Sequence, residues 1–391
     1  MREIRLAIVT SHPIQYYSPL FRELSRRTKV HVFFSHKPTA KQQASAGYGV
    51  PFEWDVDLTS GLDHTFLANV SAYPSTSNFR GCDTPSIGSC LKNGFDAVLV
   101  TGWNLKSYWQ AIVGARRLGL PVMVRGDSQL QGTRSILRKI AKMLFYPLIF
   151  KSFDAFLYPG QQNRAYLEHY KVPPAKLFFS PHCVDVDFFS MNANARARED
   201  TRRELGIADD EIVLLFVGRL IPLKRPADLI EAAALLRSWG KKIRVVIAGA
   251  GKVGEQIRRL AQDRDVPLIL LGFYNQSRMP SAYAAAEVLV LPSAQETWGL
   301  VANEAMACGR PVVVSEACGC AADLTGPGRA GVSFPTGSVQ SLAAAVEAVL
   351  SGGPSPADLS RMSALYSPAA AADGIIEAVE AVIARKGRPA T

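Results

Sequence analysis

The sequence predicts an α/β protein built as two doubly wound, Rossmann-like domains in tandem, and three observations carry that prediction. Short uninterrupted apolar runs, the mark of strands buried on both faces, alternate with stretches of helical period. The alternation runs through twice. Between the two series the pattern pauses over residues 173–189 and gives way to a charged stretch at 192–204, where the domain boundary is expected.

In order, strands are expected at residues 4–10, 30–34, 97–100, 122–124 and 155–158, with helical patterns such as 20–27 and 107–118 between them. The second series gives strands at 212–217, 245–248, 268–271, 288–291, 312–314 and 332–334. This order predicts parallel sheets covered by helices on both sides. Residues 1–190 form the expected first domain and 191–366 the second. The alanine-rich tail at 367–391 has no strand after it and is expected to return to the first domain as a helix.

At 391 residues and 48% hydrophobic content the chain can fill two ordinary cores. Its longest apolar runs, such as 144–150, fall far short of the roughly 18 residues that span a bilayer. The opening residues carry Arg2, Glu3 and Arg5 among their apolar neighbours, so they read as a first strand and not as a secretion signal; a cytoplasmic location is expected. Six cysteines without repeated zinc-type spacing imply free thiols. Residues 1–190 hold 22 Lys+Arg against 13 Asp+Glu, a net +9, whereas residues 191–391 hold 22 against 21, a net +1. The first half is therefore expected to meet something anionic.

In open parallel sheets ligands bind at the carboxyl ends of strands. After the 288–291 run comes Glu296-Thr297-Trp298-Gly299-Leu300, with Glu304 eight residues beyond Glu296. A helix starting near Gly299 offers unpaired N–H groups and a positive dipole end, which suit a diphosphate. A carboxylate on either side can accept from the vicinal hydroxyls of a sugar or a ribose. Ser293 and Glu296 also fit a capping box, which would place Gly299 inside the helix. The turn after 212–217 supplies Gly218, Arg219 and Lys224, two cations where a diphosphate needs neutralising.

Gly218-Arg219-Leu220 with Lys224, the turn Leu271-Gly272-Phe273, and the Glu296/Glu304 pair followed by Ala305-Met306-Ala307-Cys308-Gly309-Arg310-Pro311 resemble the donor half of glycosyltransferase family 4, over roughly residues 175–380. The resemblance implies a GT-B architecture of two facing domains and a retaining, metal-independent transferase that uses a nucleotide-diphosphate sugar, with a UDP-sugar favoured, and no cofactor. It implies that Arg219 and Lys224 bind the donor diphosphate, Phe273 contacts the base, Glu296 holds the donor sugar and Glu304 the ribose. The backbone of Trp298, Gly299 and Leu300 would meet the phosphates, and Arg219, Lys224 and Glu296 would be the catalytic set.

The first half is similar to the family more loosely. Ser11-His12-Pro13 reads as a helix start with proline at the first helical position, and His12 and Gln15 are candidates to face the acceptor. Many members place a histidine where this chain has Arg125-Gly126-Asp127, so Arg125 and Asp127 are either acceptor-side groups or an internal ion pair. The expected acceptor is a glycan or a lipid-linked intermediate. A basic amphipathic stretch at 134–151 is either a solvated helix or a contact with an anionic membrane surface, the latter favoured by the +9 bias.

Three motifs compete. Gly249-Ala250-Gly251-Lys252-Val253-Gly254 matches the dinucleotide fingerprint, which would make the chain an NAD-dependent oxidoreductase, but it opens the second strand unit of its domain. The pairs Asp55/Asp57 and Asp185/Asp187 have metal-site spacing without the required strand before them, so no metal is expected. A non-catalytic sugar-nucleotide-binding protein remains the other alternative. Nucleic acid is not an expected partner.

Overall fold

The computed structural model describes residues 4–39, 53–130 and 136–387. Two compact units divide it: the first comprises Met1–Gln42, Asp57–Cys183 and Pro368–Thr391, the second Gln43–Val56 and Val184–Ser367.

The first unit holds a seven-stranded parallel sheet in the order β3-β2-β1-β4-β5-β6-β7. Its strands are β1 Arg5–Thr10, β2 Lys29–Phe34, β3 His64–Phe66, β4 Ala97–Val100, β5 Val122–Arg125, β6 Ala155–Tyr158 and β7 Leu177–Phe179. The interior strands read as unbroken apolar runs because helices cover both faces; β4 is Ala-Val-Leu-Val and every residue is buried. One face packs the helix Tyr17–Arg27, through Leu20, Phe21 and Leu24, together with the helix Pro368–Arg385, through Ile375, Val379 and Val382. Their 3–4-residue spacing is what lets a single stripe reach the sheet. The alanine-rich tail thus belongs to the first core.

The second unit holds a six-stranded parallel sheet, β10-β9-β8-β11-β12-β13. Its strands are β8 Ile212–Val217, β9 Ile243–Ala248, β10 Leu268–Gly272, β11 Val288–Leu291, β12 Val312–Ser315 and β13 Gly331–Phe334. In both sheets the strand order reverses beside the first strand, between β1 and β4 and between β8 and β11, which opens a crevice at the carboxyl ends there.

Two strands were not expected from the sequence, β3 and β7, each of three residues at an edge of the first sheet. Too short to show a period, they are strands because β2 and β6 offer them a parallel ladder. The passage between units lies at Cys183–Val184, earlier than the expected 190. Asp185 caps the helix Val186–Asn192 through the Phe188 N–H, and Phe189 of that helix packs on Tyr283 in the second unit. The first helix begins at Tyr17, not at Pro13, since Ser11 bonds the His12 ring instead of capping.

Candidate active site

Local chain geometry brings two of the expected donor residues of the second unit, Lys224 and Glu296, together. β8 ends in Val217-Gly218, and a 3-10 turn at Pro222–Lys224 follows. The Leu223 carbonyl accepts from the Ala294 N–H (2.8 Å), which ties this turn to the loop after β11. The Lys224 ammonium consequently meets the Glu296 carboxylate, a residue 72 positions away, and both side chains are largely enclosed, 15% and 18% exposed. Burial lowers the Lys224 pKa and the neighbouring Arg219 lowers it further. Direct contact with a carboxylate opposes both, and for a pair this close the ion pair is the state that geometry favours. Arg219 itself stays exposed.

Glu296 lies in a braced turn. Its N–H donates to Ala317 (3.3 Å), its carbonyl accepts from Gly319 (2.9 Å), and the Trp298 carbonyl accepts from Cys320 (3.0 Å). The helix then runs Leu300–Ala307, with Gly299 as its N-cap at φ 99°. The capping-box alternative is not the one adopted: Gly299 precedes the helix, and a Cβ there would stand 2.7 Å from Leu291 Cδ2. The first-turn N–H groups of that helix and the Lys224 ammonium are the groups that suit an anion, whereas the Glu296 carboxylate suits hydroxyls. Trp298 is 5% exposed, its indole N–H donating to Asn303 (2.8 Å) and its ring lying 5.8 Å from Tyr366. Its indole is therefore engaged within the protein and not turned to a ligand.

Glu304, the expected ribose contact, is enclosed. It is 6% exposed, and the Tyr283 hydroxyl donates to its carboxylate at 2.6 Å. Burial raises its pKa to about 7, with the Tyr283 hydrogen bond pulling the other way. Phe273 is half-buried just past β10, which ends at Gly272 in the left-handed region.

The glycines of the dinucleotide-like motif have another use. A Cβ on Gly249 would stand 1.9 Å from the Gly218 carbonyl oxygen, and one on Gly251 would stand 2.3 Å from that of Leu220. They let the β9 turn lie against the Gly218–Leu220 backbone, where Leu220 donates to Ala250 (2.9 Å). The acidic pairs likewise serve turns: Asp55 accepts from Ser277, Asp57 from Thr59 and Ser60, and Asp185 caps its helix.

In the first unit, His12 and Asp127 line one cavity, together with Tyr16, Thr101 and Tyr108. Arg125 does not line it. It is 2% exposed, with its guanidinium donating to the carbonyls of Pro181 (2.8 Å) and Ser180 (3.3 Å) and its carbon 5.3 Å from the centre of the Tyr17 ring. No ion pair joins it to Asp127 among the described residues; its work is to hold the β5 end against the segment after β7. Gln15 turns its side-chain oxygen inward, where it has no hydrogen-bond partner among the described residues. His182, buried beside the Tyr16 ring with a pKa driven well down by burial and Arg125, was not singled out by sequence. Nor were Tyr283 and the 317–320 brace; the Cys318-Gly319-Cys320 turn after an apolar strand was the available signal.

Two parallel-sheet units of this topology define the GT-B class. Among solved structures, HepE from Anabaena in complex with UDP matches with a TM-score of 0.71 at 17% identity, covering 96% of this chain and 100% of that one. Sucrose-phosphate synthase from Thermosynechococcus elongatus gives 0.69 at 20% identity, covering 98% and 100%. In sequence, a D-inositol 3-phosphate glycosyltransferase from Geodermatophilus obscurus is 36% identical over 202 residues, 49% of this chain and 44% of that protein. The chain spans less than half the length of the curated relatives it matches. The glycosyl transferases group 1 family model matches residues 197–364, which contain the whole of the expected donor site.

Proposed function

We propose that the chain is a retaining glycosyltransferase that moves a sugar from a nucleotide-diphosphate donor, with a UDP-sugar favoured, to a hydroxyl of a glycan or lipid-linked acceptor. The observation that carries the reading is the Lys224–Glu296 pair beside the helix start at Gly299. As the bond from the anomeric carbon to the diphosphate breaks, negative charge grows on the leaving group; Lys224, Arg219 and the N–H groups after Gly299 would stabilise it. Glu296 accepts from the donor sugar's hydroxyls. The acceptor oxygen bonds the anomeric carbon, and its proton passes to the departing phosphate. HepE is described in complex with UDP, which supports the choice of base. The oxidoreductase alternative loses its support, because Gly249 and Gly251 are used in packing.

The test is a panel of UDP-, GDP-, ADP- and dTDP-sugars read by thermal stabilisation. A rise with one base, absent with NAD, is expected; stabilisation by NAD alone would refute the proposal.

Glu304, as the ribose contact, makes donor binding depend on pH. Its carboxylate form, the better acceptor, forms as pH rises through about 7, so nucleotide diphosphate should bind more tightly at pH 8 than at pH 6. Glu304→Gln should weaken binding and flatten that dependence in calorimetry. The same burial has a folding consequence. A carboxyl raised from 4.5 to about 7 gives stability that is full below 4.5 and lost as pH climbs through 7, about 3 kcal/mol at pH 8. The ligand-free Glu304→Gln protein should therefore melt higher than the parent at pH 8 and alike near pH 4.5. Equal melting at pH 8 would contradict the assignment.

We place the protein at an anionic membrane surface through the helix Ile136–Phe150. Of the stretch 134–151, Arg134 and the side chains at 136–139 lie outside the described residues. Further along, Ile140, Met143, Leu144, Phe145 and Leu148 are each 53–65% exposed. So much contiguous apolar surface on one helix is what membrane-surface helices present.

A further inference from the structure

At the carboxyl end of the first sheet, where the order reverses between β1 and β4, lies a cavity of about 220 Å³. It is walled by the turns after β1, β4 and β5 and by Thr76. Its size is below the roughly 300–1,000 Å³ of sites for drug-sized ligands, which suits one small ring and not an extended chain. Hydroxyls crowd its wall: Thr101 Oγ1 is 3.0 Å from the Tyr108 hydroxyl and 2.9 Å from Thr10 Oγ1, and Ser11 Oγ is 2.9 Å from His12 Nδ1. The rings of Tyr16 and Tyr17 supply an apolar side.

Charge decides what such a cavity accepts. Among the described lining residues there is one acid, Asp127, and no lysine or arginine. His12 is held neutral: burial first, then His36, bring its pKa down to about 4. The guanidinium two residues from Asp127 belongs to Arg125, which donates to the carbonyls of Ser180 and Pro181. Protein crowding raises the Asp127 pKa and Arg125 pulls it back. Water nonetheless reaches this residue, which is exposed by accessible area, and that solvation limits the rise. A phosphate here would meet a carboxylate and no cation. Neutral hydroxyls would meet an acceptor in Asp127 and both donors and acceptors in Ser11, Thr101 and Tyr108.

We infer that this cavity receives one uncharged polyhydroxylated ring, the reactive end of the acceptor, and discriminates against the same ring carrying a phosphate. The inference rests on the reading of the chain as a glycosyltransferase whose first unit takes the acceptor.

Saturation-transfer NMR on the full chain saturated with UDP tests it, with methyl α-glucoside, myo-inositol and D-inositol 3-phosphate as probes. Signals from the neutral rings are expected, with the phosphate ester at least tenfold weaker. Asp127→Lys should reverse that order, and Asn104→Trp, at an exposed position on the cavity rim, should abolish the neutral-ring signals while UDP still binds. A phosphate ester bound as well as its parent ring, or neutral-ring signals that survive Asn104→Trp, would overturn the assignment. UDP bound without any neutral-ring signal would overturn it alone, whereas no binding of UDP by the parent protein would defeat the functional reading itself.

Discussion

Lys224→Ala should lower turnover by about a hundredfold or more with the protein still folded, because removing one preorganised electrostatic partner of a developing charge costs on the order of 10²–10³. Lys224 is not a loose surface cation. Its 3-10 turn is pinned to the loop after β11 by the Ala294–Leu223 hydrogen bond, and its ammonium is held by Glu296 at low exposure. A donor diphosphate would find the charge already in place. The loss should appear mainly in kcat, since the charge it answers grows as the leaving group departs. Glu296→Gln should also lower activity, through the donor sugar's hydroxyls. Losing one partner leaves the other charge enclosed and unpaired, so both singles should melt below the parent and the double variant should recover part of that loss. Turnover within threefold of the parent in Lys224→Ala, measured with the donor found by the nucleotide panel, would remove Lys224 from the reaction.

Leu144→Glu/Phe145→Glu should abolish sedimentation with vesicles containing anionic lipid. Both side chains stand open, 65% and 59% exposed, in the middle of the apolar stripe. Burying two such side chains in a bilayer interface is worth about 1.5–3 kcal/mol each when complete, and the substitutions replace that gain with the cost of placing two carboxylates against an anionic surface. Since neither residue is in the core, melting temperature should hardly move. Binding of the parent should also fall steeply with salt, given the net +9 of residues 1–190. Equal sedimentation of parent and variant would point the apolar stripe toward another partner.

The helix itself illustrates the limits of sequence reading. Lys142 of this helix does not serve its outer face: it folds back 4.9 Å from the centre of the Tyr146 ring and reaches the Tyr166 hydroxyl (3.4 Å). The outward face at 140–148 is mostly apolar. Which stripe of a helix faces out is set by what the sheet leaves uncovered, and a period cannot reveal that. The same holds for Arg125, whose buried guanidinium answers two carbonyls that only the fold brings near.

The sequence by itself determined the fold class and the interior strands, because strands buried on both faces must be continuous apolar runs and strand-to-helix turns must carry glycine where the backbone reverses. It also carried the residue types of the proposed donor site, since a diphosphate and a sugar call for cations and carboxylates at strand ends. Tertiary structure alone decided which groups meet. Lys224 reaches Glu296 because β8 and β11 are neighbours in the sheet, Glu304 is enclosed because the helix Met279–Ala285 brings Tyr283 to it, and the edge strands β3 and β7 exist because a ladder was waiting. Each depends on contacts between residues distant in the chain, and a local pattern holds no record of them.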